Sequence, residues 1–152
     1  MLKIENSMKL IIESRSKNES FARQAVAAFA AQLDPTVSEV NDIKTAVSEA
    51  VTNAIIHGYR DTFGYITITV QLMQDSIRIS IKDQGCGIPD IAQAMEPTFT
   101  TGDEERSGMG FTIMKSFMDK LSIRSKIGKG TTVTMCKNLS PRCSRMAAYH
   151  KE

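Results

Sequence analysis

Glu49, Asn53 and His57 recur every four residues within Ser48-Glu49-Ala50-Val51-Thr52-Asn53-Ala54-Ile55-Ile56-His57-Gly58. On a helix that spacing aligns a carboxylate, an amide and an imidazole on one face, leaving the apolar residues for the other. Such a stripe is either a site or an ordinary solvated face. Asp83-Gln84-Gly85-Cys86-Gly87 directly follows a strand-like run. Its glycines permit close backbone approach and positive φ, and Asp83 could accept a hydrogen bond from a buried donor; a simple tight turn would use the same letters. Ser107-Gly108-Met109-Gly110-Phe111 opens a helix-like run with glycines. The unsatisfied N–H groups and positive dipole end of such a helix can meet a phosphate. No Gly-Lys-Ser/Thr follows, which excludes a P-loop, and no strand stands immediately before it, which excludes a dinucleotide fingerprint.

The elements that must position these residues are legible as changes of period. Met8 to Glu13 reads as a strand. Asn18 can cap a helix running to about Leu33, with Phe21, Ala25, Phe29 and Leu33 on its buried face. Asp34 followed by Pro35 reads as the cap and first position of a second helix, in which Val40, Ile43, Val47, Val51, Ala54 and Ile55 recur at helical spacing and which Gly58 is placed to end. The period then falls to two: Ile66, Ile68, Val70 and Leu72 alternate with polar residues, as do Ile77, Ile79 and Ile81 after a turn at Asp75-Ser76. Residues 85–106 have no sustained period and contain Pro89 and Pro97, as a lid-like functional loop would. A third helix from Gly108 to Gly110 onward would bury Phe111, Met114, Phe117 or Met118, and Leu121. Two final strands, Ser122 to Lys126 and Thr131 to Lys137, join at Gly128-Lys129-Gly130. Strands and helices without regular alternation predict a two-layer α/β (α+β) sandwich, with helices on one face of a mixed, mostly antiparallel sheet.

At 152 residues and 41% hydrophobic content the chain suits one domain with a real core. That domain is expected over residues 1–137, with a flexible C-terminal tail at 138–152. Nineteen basic residues against 17 acidic ones give no large field for nucleic acid or anionic lipid. Cys86, Cys136 and Cys143 are odd in number and lack paired zinc spacing, so free thiols in a reducing, cytoplasmic compartment are expected. No signal segment and no apolar run of membrane-spanning length is apparent.

The order of the three stretches, a Glu/Asn helix, a strand ending in Asp-x-Gly-x-Gly, a loop and a Gly-x-Gly helix start, resembles the GHKL (Bergerat-fold) ATPases and kinases. Glu49 to Asn53 is similar to their N box, Asp83 to Gly87 to their G1 box and Gly108 to Gly110 to their G2 box. Val47 to Tyr59, Phe99-Thr100-Thr101 and Glu105 to Met114 resemble the anti-sigma serine kinases. Asn18 to Arg23 and Asp34-Pro35 resemble their anti-sigma F branch, and the similarity covers roughly residues 5–137.

The resemblance implies ATP as cofactor, with Asn53 coordinating the Mg²⁺ that bridges its phosphates. Asp83 would accept from the adenine amino group and Thr131 would be a second adenine contact. Gly85, Gly87, Gly108 and Gly110 would border the nucleotide, Glu49 would be the general base toward an incoming serine hydroxyl, and Arg106 would neutralise phosphate charge. His57 is expected to be structural, since no separate phosphoacceptor helix pair is present. Met109, Met114 and Met118 have the spacing of core residues. Cys86 stands where relatives usually carry an aliphatic residue.

By the same resemblance Arg23 would contact a sigma factor, and the protein would be a homodimer gripping one sigma factor F. It would phosphorylate a serine of an anti-anti-sigma factor, which frees sigma when unphosphorylated, in the partner switching of sporulating bacteria. No direct nucleic-acid or membrane partner is expected. Alternatives are a general-stress anti-sigma serine kinase of the same family, a non-catalytic ATP-binding interaction module, and a detached histidine-kinase catalytic domain.

Overall fold

The computed structural model describes residues 3–91 and 110–141. In chain order the elements are β1 (Asn6–Glu13), α1 (Asn18–Ala30), α2 (Val37–Asn53), β2 (Tyr65–Met73), β3 (Ser76–Asp83), α3 (Gly110–Phe117), β4 (Lys120–Lys126) and β5 (Gly130–Asn138). A 3-10 turn, Ala31–Leu33, extends α1, and a π turn, Ala54–Gly58, extends α2.

The alternation of period two produces the sheet directly. Ile66, Ile68, Val70 and Leu72 of β2 and Ile77, Ile79 and Ile81 of β3 all point to one side and are buried. Met8, Leu10 and Ile12 of β1 and Val133 and Met135 of β5 fall on the same side by register. The strands run in the order β1-β2-β3-β5-β4, and every neighbouring pair is antiparallel. Three helices cover the apolar side, with α2 in the middle between α1 and α3. The expected two-layer sandwich is therefore found, with a wholly antiparallel sheet among the described residues.

Three local expectations are corrected. The fully buried residues of α1 are Ala22, Val26 and Ala30, while Phe21 is 55% exposed; Leu33 is buried as expected and Phe29 packs partly buried against the core. Alanines let α1 and α2 approach closely, a contact that a phenylalanine at the same place would hold apart. Asn18 does not cap α1 through its side chain; Lys17 is the N-cap residue, and Asn18 Nδ2 donates instead to the Glu13 carbonyl at 2.9 Å. The second helix is not opened by Asp34 and Pro35. Asp34 takes the left-handed conformation that closes the 3-10 turn, and Thr36 forms a capping box with Glu39. Thr36 Oγ1 accepts from the Glu39 N–H at 3.1 Å, while Glu39 Oε1 accepts from the Thr36 N–H at 2.8 Å.

Packing continues beyond residue 137, where the sequence places the domain boundary. Leu139 is buried and its N–H donates to the Asp75 carbonyl at 2.7 Å. Ser140 N–H donates to Glu39 Oε2 at 2.7 Å. Met114 and Met118 are core residues; Met109 lies outside the described residues. No helix among the described residues is long and apolar enough to cross a membrane.

Candidate functional site

The site lies where the end of α2, the end of β3 and the beginning of α3 converge. Glu49 and Asn53 sit one turn apart on α2, whose opposite side, Ile43, Ala46, Val47, Ala50 and Val51, is buried. Their counterpart is Gly110 at the N-terminal end of α3. A Cβ on Gly110 would lie 2.9 Å from Asn53 Nδ2, 3.1 Å from its Oδ1 and 3.3 Å from Glu49 Oε2. Only glycine lets the α3 backbone come this close to both polar side chains, so a helix N-terminus, a carboxylate and an amide share one small space.

Past Asn53 the helix loosens by one residue per turn, and Tyr59 N–H bonds to the Ala54 carbonyl at 3.0 Å. Such π turns recur at functional sites because the extra residue re-aims the backbone. Here it brings the Gly58 carbonyl onto the turn after β3, where it accepts from the Cys86 N–H at 2.9 Å. Cys86 Sγ donates to the His57 carbonyl at 3.0 Å. The approach is again limited to glycines: a Cβ on Gly85 would stand 2.0 Å from the Gly58 carbonyl oxygen, and one on Gly58 would stand 2.9 Å from Asp83 Cγ.

Asp83 ends β3 and is only 5% exposed. Burial pushes its carboxyl above the usual aspartate range, an effect opposed by hydrogen bonds from the backbone of Gly85 and Thr131. The Gly85 N–H donates to Asp83 Oδ1 at 2.9 Å. Such a carboxylate is held in place with acceptor capacity to spare. Thr131 is Asp83's direct neighbour across the β3–β5 ladder, and its hydroxyl lies 2.8 Å from Ser125 Oγ. Ser125 in turn accepts from the Ile88 N–H at 2.7 Å, which ties the Asp83 turn to β4. Gly87, at φ 80, closes on the Lys126 carbonyl, which a Cβ would meet at 2.4 Å.

The structure thus brings Glu49, Asn53 and Gly110 together, and separately clusters Asp83, Gly85, Gly87 and Thr131. The π turn and His57-Gly58 join the two groups. Gly108, Arg106 and the lid-like segment beyond residue 91 lie outside the described residues. Tyr59 carries no chemistry in the sequence patterns, yet its hydroxyl donates to the Tyr65 carbonyl at 2.6 Å and accepts from the Gln84 N–H at 2.7 Å. A tyrosine directly after a helix-ending glycine was the available signal. Gly58 was legible only as a helix stop, although it is also the seat of Asp83.

Arg23 stands apart from this cavity on α1. Its Nη1 lies 3.7 Å from Glu19 Oε1 and its Nη2 donates to Ser20 Oγ at 3.3 Å, while its Nε is buried without a hydrogen-bond partner. Ser48 Oγ donates to the same Glu19 carboxylate, so the Arg23 cluster is anchored to α2 at the residue next to Glu49.

The donor set suits one kind of metal. Among the described residues no three His, Cys, Asp or Glu side chains are grouped to hold an ion on their own. A single amide oxygen facing a glycine-lined space fits a hard cation that takes its remaining ligands from phosphate and water.

The sequence profile of the family described as Histidine kinase-like ATPase domain matches residues 12–137. The chain is 59% identical to an anti-sigma F factor of Thermoanaerobacter sp. (strain X514) over 133 residues, 87% of this chain and 93% of that one. It is 54% identical over 139 residues to an anti-sigma F factor of Geobacillus kaustophilus, covering 90% of this chain and 95% of that one. Among solved structures, the RsbU and RsbW domains of a Mycobacterium tuberculosis protein superpose with a TM-score of 0.64 at 19% identity, covering 88% of this chain and 32% of that one. A mycobacterial sensor histidine kinase, MprB, superposes with a TM-score of 0.52 at 16% identity, covering 88% and 99% of the two chains. These two distant likenesses speak for the fold alone.

Proposed function

The chain belongs to the Histidine kinase-like ATPase family and within it to the anti-sigma F factors, and on that premise we propose that it is an ATP-dependent protein serine kinase that also holds sigma factor F inactive. ATP lies with its base at the Asp83 turn and its phosphates at the N-terminal end of α3. The observation that carries this reading is the close approach of Gly110 to Asn53 and Glu49, which leaves a cation ligand and a carboxylate facing one helix N-terminus.

Asp83 accepts a hydrogen bond from the exocyclic amino group of adenine. Guanine presents an acceptor at that position, so the same carboxylate rejects GTP. Thr131, Gly85 and Gly87 form the walls that keep the base beside Asp83. Asn53 would hold Mg²⁺, which when bound neutralises phosphate charge and orients the terminal phosphoryl group. Glu49, one turn earlier, takes the proton from the incoming serine hydroxyl as its oxygen attacks the terminal phosphorus and the bond from that phosphorus to the bridging oxygen breaks, releasing ADP. Backbone N–H groups at Gly108 to Gly110 and the Arg106 guanidinium stabilise the charge on the phosphoryl oxygens. The acceptor is a serine of an anti-anti-sigma protein, and sigma is gripped by a homodimer through the α1 surface around Arg23.

The test uses labelled ATP and an anti-anti-sigma protein as acceptor. Glu49→Gln should keep ATP binding and sigma binding while serine transfer falls by about 100- to 10,000-fold, the usual contribution of a positioned general base. Equal transfer by the variant would remove Glu49 from that role. In parallel, Arg23→Glu should abolish retention of sigma factor F on the immobilised protein. Failure of the unmutated protein to retain sigma factor F would refute the sigma assignment and leave the kinase reading to stand by itself.

A further inference from the structure

The helix-side face of the sheet is apolar row by row until the row that reaches the site. Across β2, β3, β5 and β4, one row is Val70, Ile79, Met135 and Leu121, and the next is Ile68, Ile81, Val133 and Ile123. The row after these begins with Ile66 and then turns polar, as Asp83, Thr131 and Ser125. Hydrogen-bonding side chains on a face otherwise given to the core cost free energy unless each has a partner. Asp83 and Thr131 face the adenine in the reading above. Ser125 belongs to none of the three sequence motifs; it stands half-buried on the edge strand β4.

Counting protons on Ser125 shows what it can do there. A hydroxyl has one proton to give and two lone pairs, and the Ile88 N–H, at 2.7 Å, takes one of the lone pairs. The proton has two acceptors within reach, the Gly130 carbonyl at 3.1 Å and Thr131 Oγ1 at 2.8 Å. Two arrangements satisfy the group. In the first, Thr131 donates to Ser125 and Ser125 donates to the Gly130 carbonyl, so that Thr131 presents only lone pairs to the site. In the second, Ser125 donates to Thr131, whose own proton is then free for a ligand. Among the described residues Thr131 Oγ1 has no hydrogen-bond partner besides Ser125. The direction of this single bond therefore decides whether Thr131 meets a ligand as an acceptor or as a donor.

On the premise that adenine sits at the Asp83 turn, we propose that Ser125 is a positioning residue for base recognition: its hydroxyl donates to Thr131 Oγ1 and so turns the Thr131 proton toward ring nitrogen N1 of the base. The pairing edge of adenine presents a donor, the amino group, beside an acceptor, N1. Asp83 is an acceptor next to Thr131 on the β3–β5 ladder, so the complement of adenine is complete only when Thr131 is the donor. Guanine presents the reverse order at both atoms, and the same arrangement opposes it twice. The empty seat is satisfied by the first arrangement and the occupied seat by the second. Passing between them needs only the rotation of two hydroxyl groups, with no movement of the strands.

The test titrates the full chain, with Mg²⁺, against ATP and against 1-deaza-ATP, in which a C–H replaces N1, and reads affinity by calorimetry. The unmutated chain should bind ATP more tightly than the analogue by about fivefold, the usual net worth of one hydrogen bond. Ser125→Ala should bring ATP down to the level of the analogue while the analogue's own affinity holds, which also shows that the fold is intact. Loss of the Ile88 tie alone would instead weaken both nucleotides alike. Ser125→Thr keeps the hydroxyl and should restore the difference. Ser125→Cys, close in shape but a poor donor, should lose it again, and gives a second reading should the alanine variant fail to fold. Equal weakening of the two nucleotides in these variants, no weakening of either, or no difference between them in the unmutated chain overturns the proposal. Asp83→Asn checks the premise separately: a chain whose ATP affinity ignores that change holds the base elsewhere, and the role of Ser125 falls together with the seat.

Discussion

Asp83 is a residue placed against its own preference. Its carboxyl is buried under Gly58 and its ionised form is disfavoured there, although two backbone donors offset part of the cost. Because its folded pKa lies above the unfolded value, an ionised Asp83 weakens the fold at neutral pH. That penalty disappears as pH falls through the folded pKa toward the unfolded one. Asp83→Asn should therefore raise the melting temperature of the nucleotide-free protein at neutral pH, with the gain vanishing on acidification. The same variant should lose ATP affinity; a melting temperature lowered equally at all pH values would show that the carboxylate is structural. Gly110 makes a complementary case, because a methyl there meets Asn53 at 2.9 Å. Displacing Asn53 by ~1 Å should cut the rate of phosphoryl transfer by about a hundredfold, and steady-state kinetics of Gly110→Ala would measure it.

At the scale of elements, what was legible depended on whether one force dominated. The strands follow from strict alternation of isoleucine and valine with polar residues, and their pairing leaves little choice of face. Leu33 is buried as its hydrophobicity demands, but along α1 itself two stripes compete, Phe21-Ala25-Phe29 and Ala22-Val26-Ala30, and hydrophobicity favours the first. The close α1–α2 contact favours the second, a tertiary demand that no window of sequence contains. The start of α2 was readable in principle, since Thr36-x-x-Glu39 is a capping box, but Asp34-Pro35 offered a plausible rival two residues earlier. Glu39 then does more than cap, because it also receives Ser140 from beyond β5. Burial pushes its carboxyl up, but hydrogen bonds from Thr36 and Ser140 outweigh that and bring it below the usual range. Stability from this group is present above the unfolded pKa and lost as pH falls through the folded one. Glu39→Ala should cost about 1 kcal/mol near neutrality, read by urea unfolding, with the difference from the unmutated chain shrinking in acid.

At the scale of the molecule, the antiparallel sheet serves as a rigid back plate that presents the end of β3 to the end of α2. In the sequence Glu49 and Asn53 stand out by their four-residue spacing, and Asp83 by the glycine-rich turn that follows a strand-like run. How they meet is not legible there, because the meeting depends on contacts between glycines and backbone: Gly58 on Asp83, Gly85 on the Gly58 carbonyl, Gly110 on Asn53. The π turn that delivers Gly58 is invisible in a run, Ala54-Ile55-Ile56-His57-Gly58, that any α-helix could contain. We propose that these contacts together build one nucleotide seat. A crystal structure of the chain with Mg²⁺ and a non-hydrolysable ATP analogue tests it most directly. The adenine amino group should lie within hydrogen-bonding distance of Asp83, the metal on Asn53 Oδ1 and the terminal phosphate at the N-terminal end of α3 beside Glu49. A nucleotide bound elsewhere, or one seated here with Asp83 and Asn53 making no contact with it, would contradict the claim.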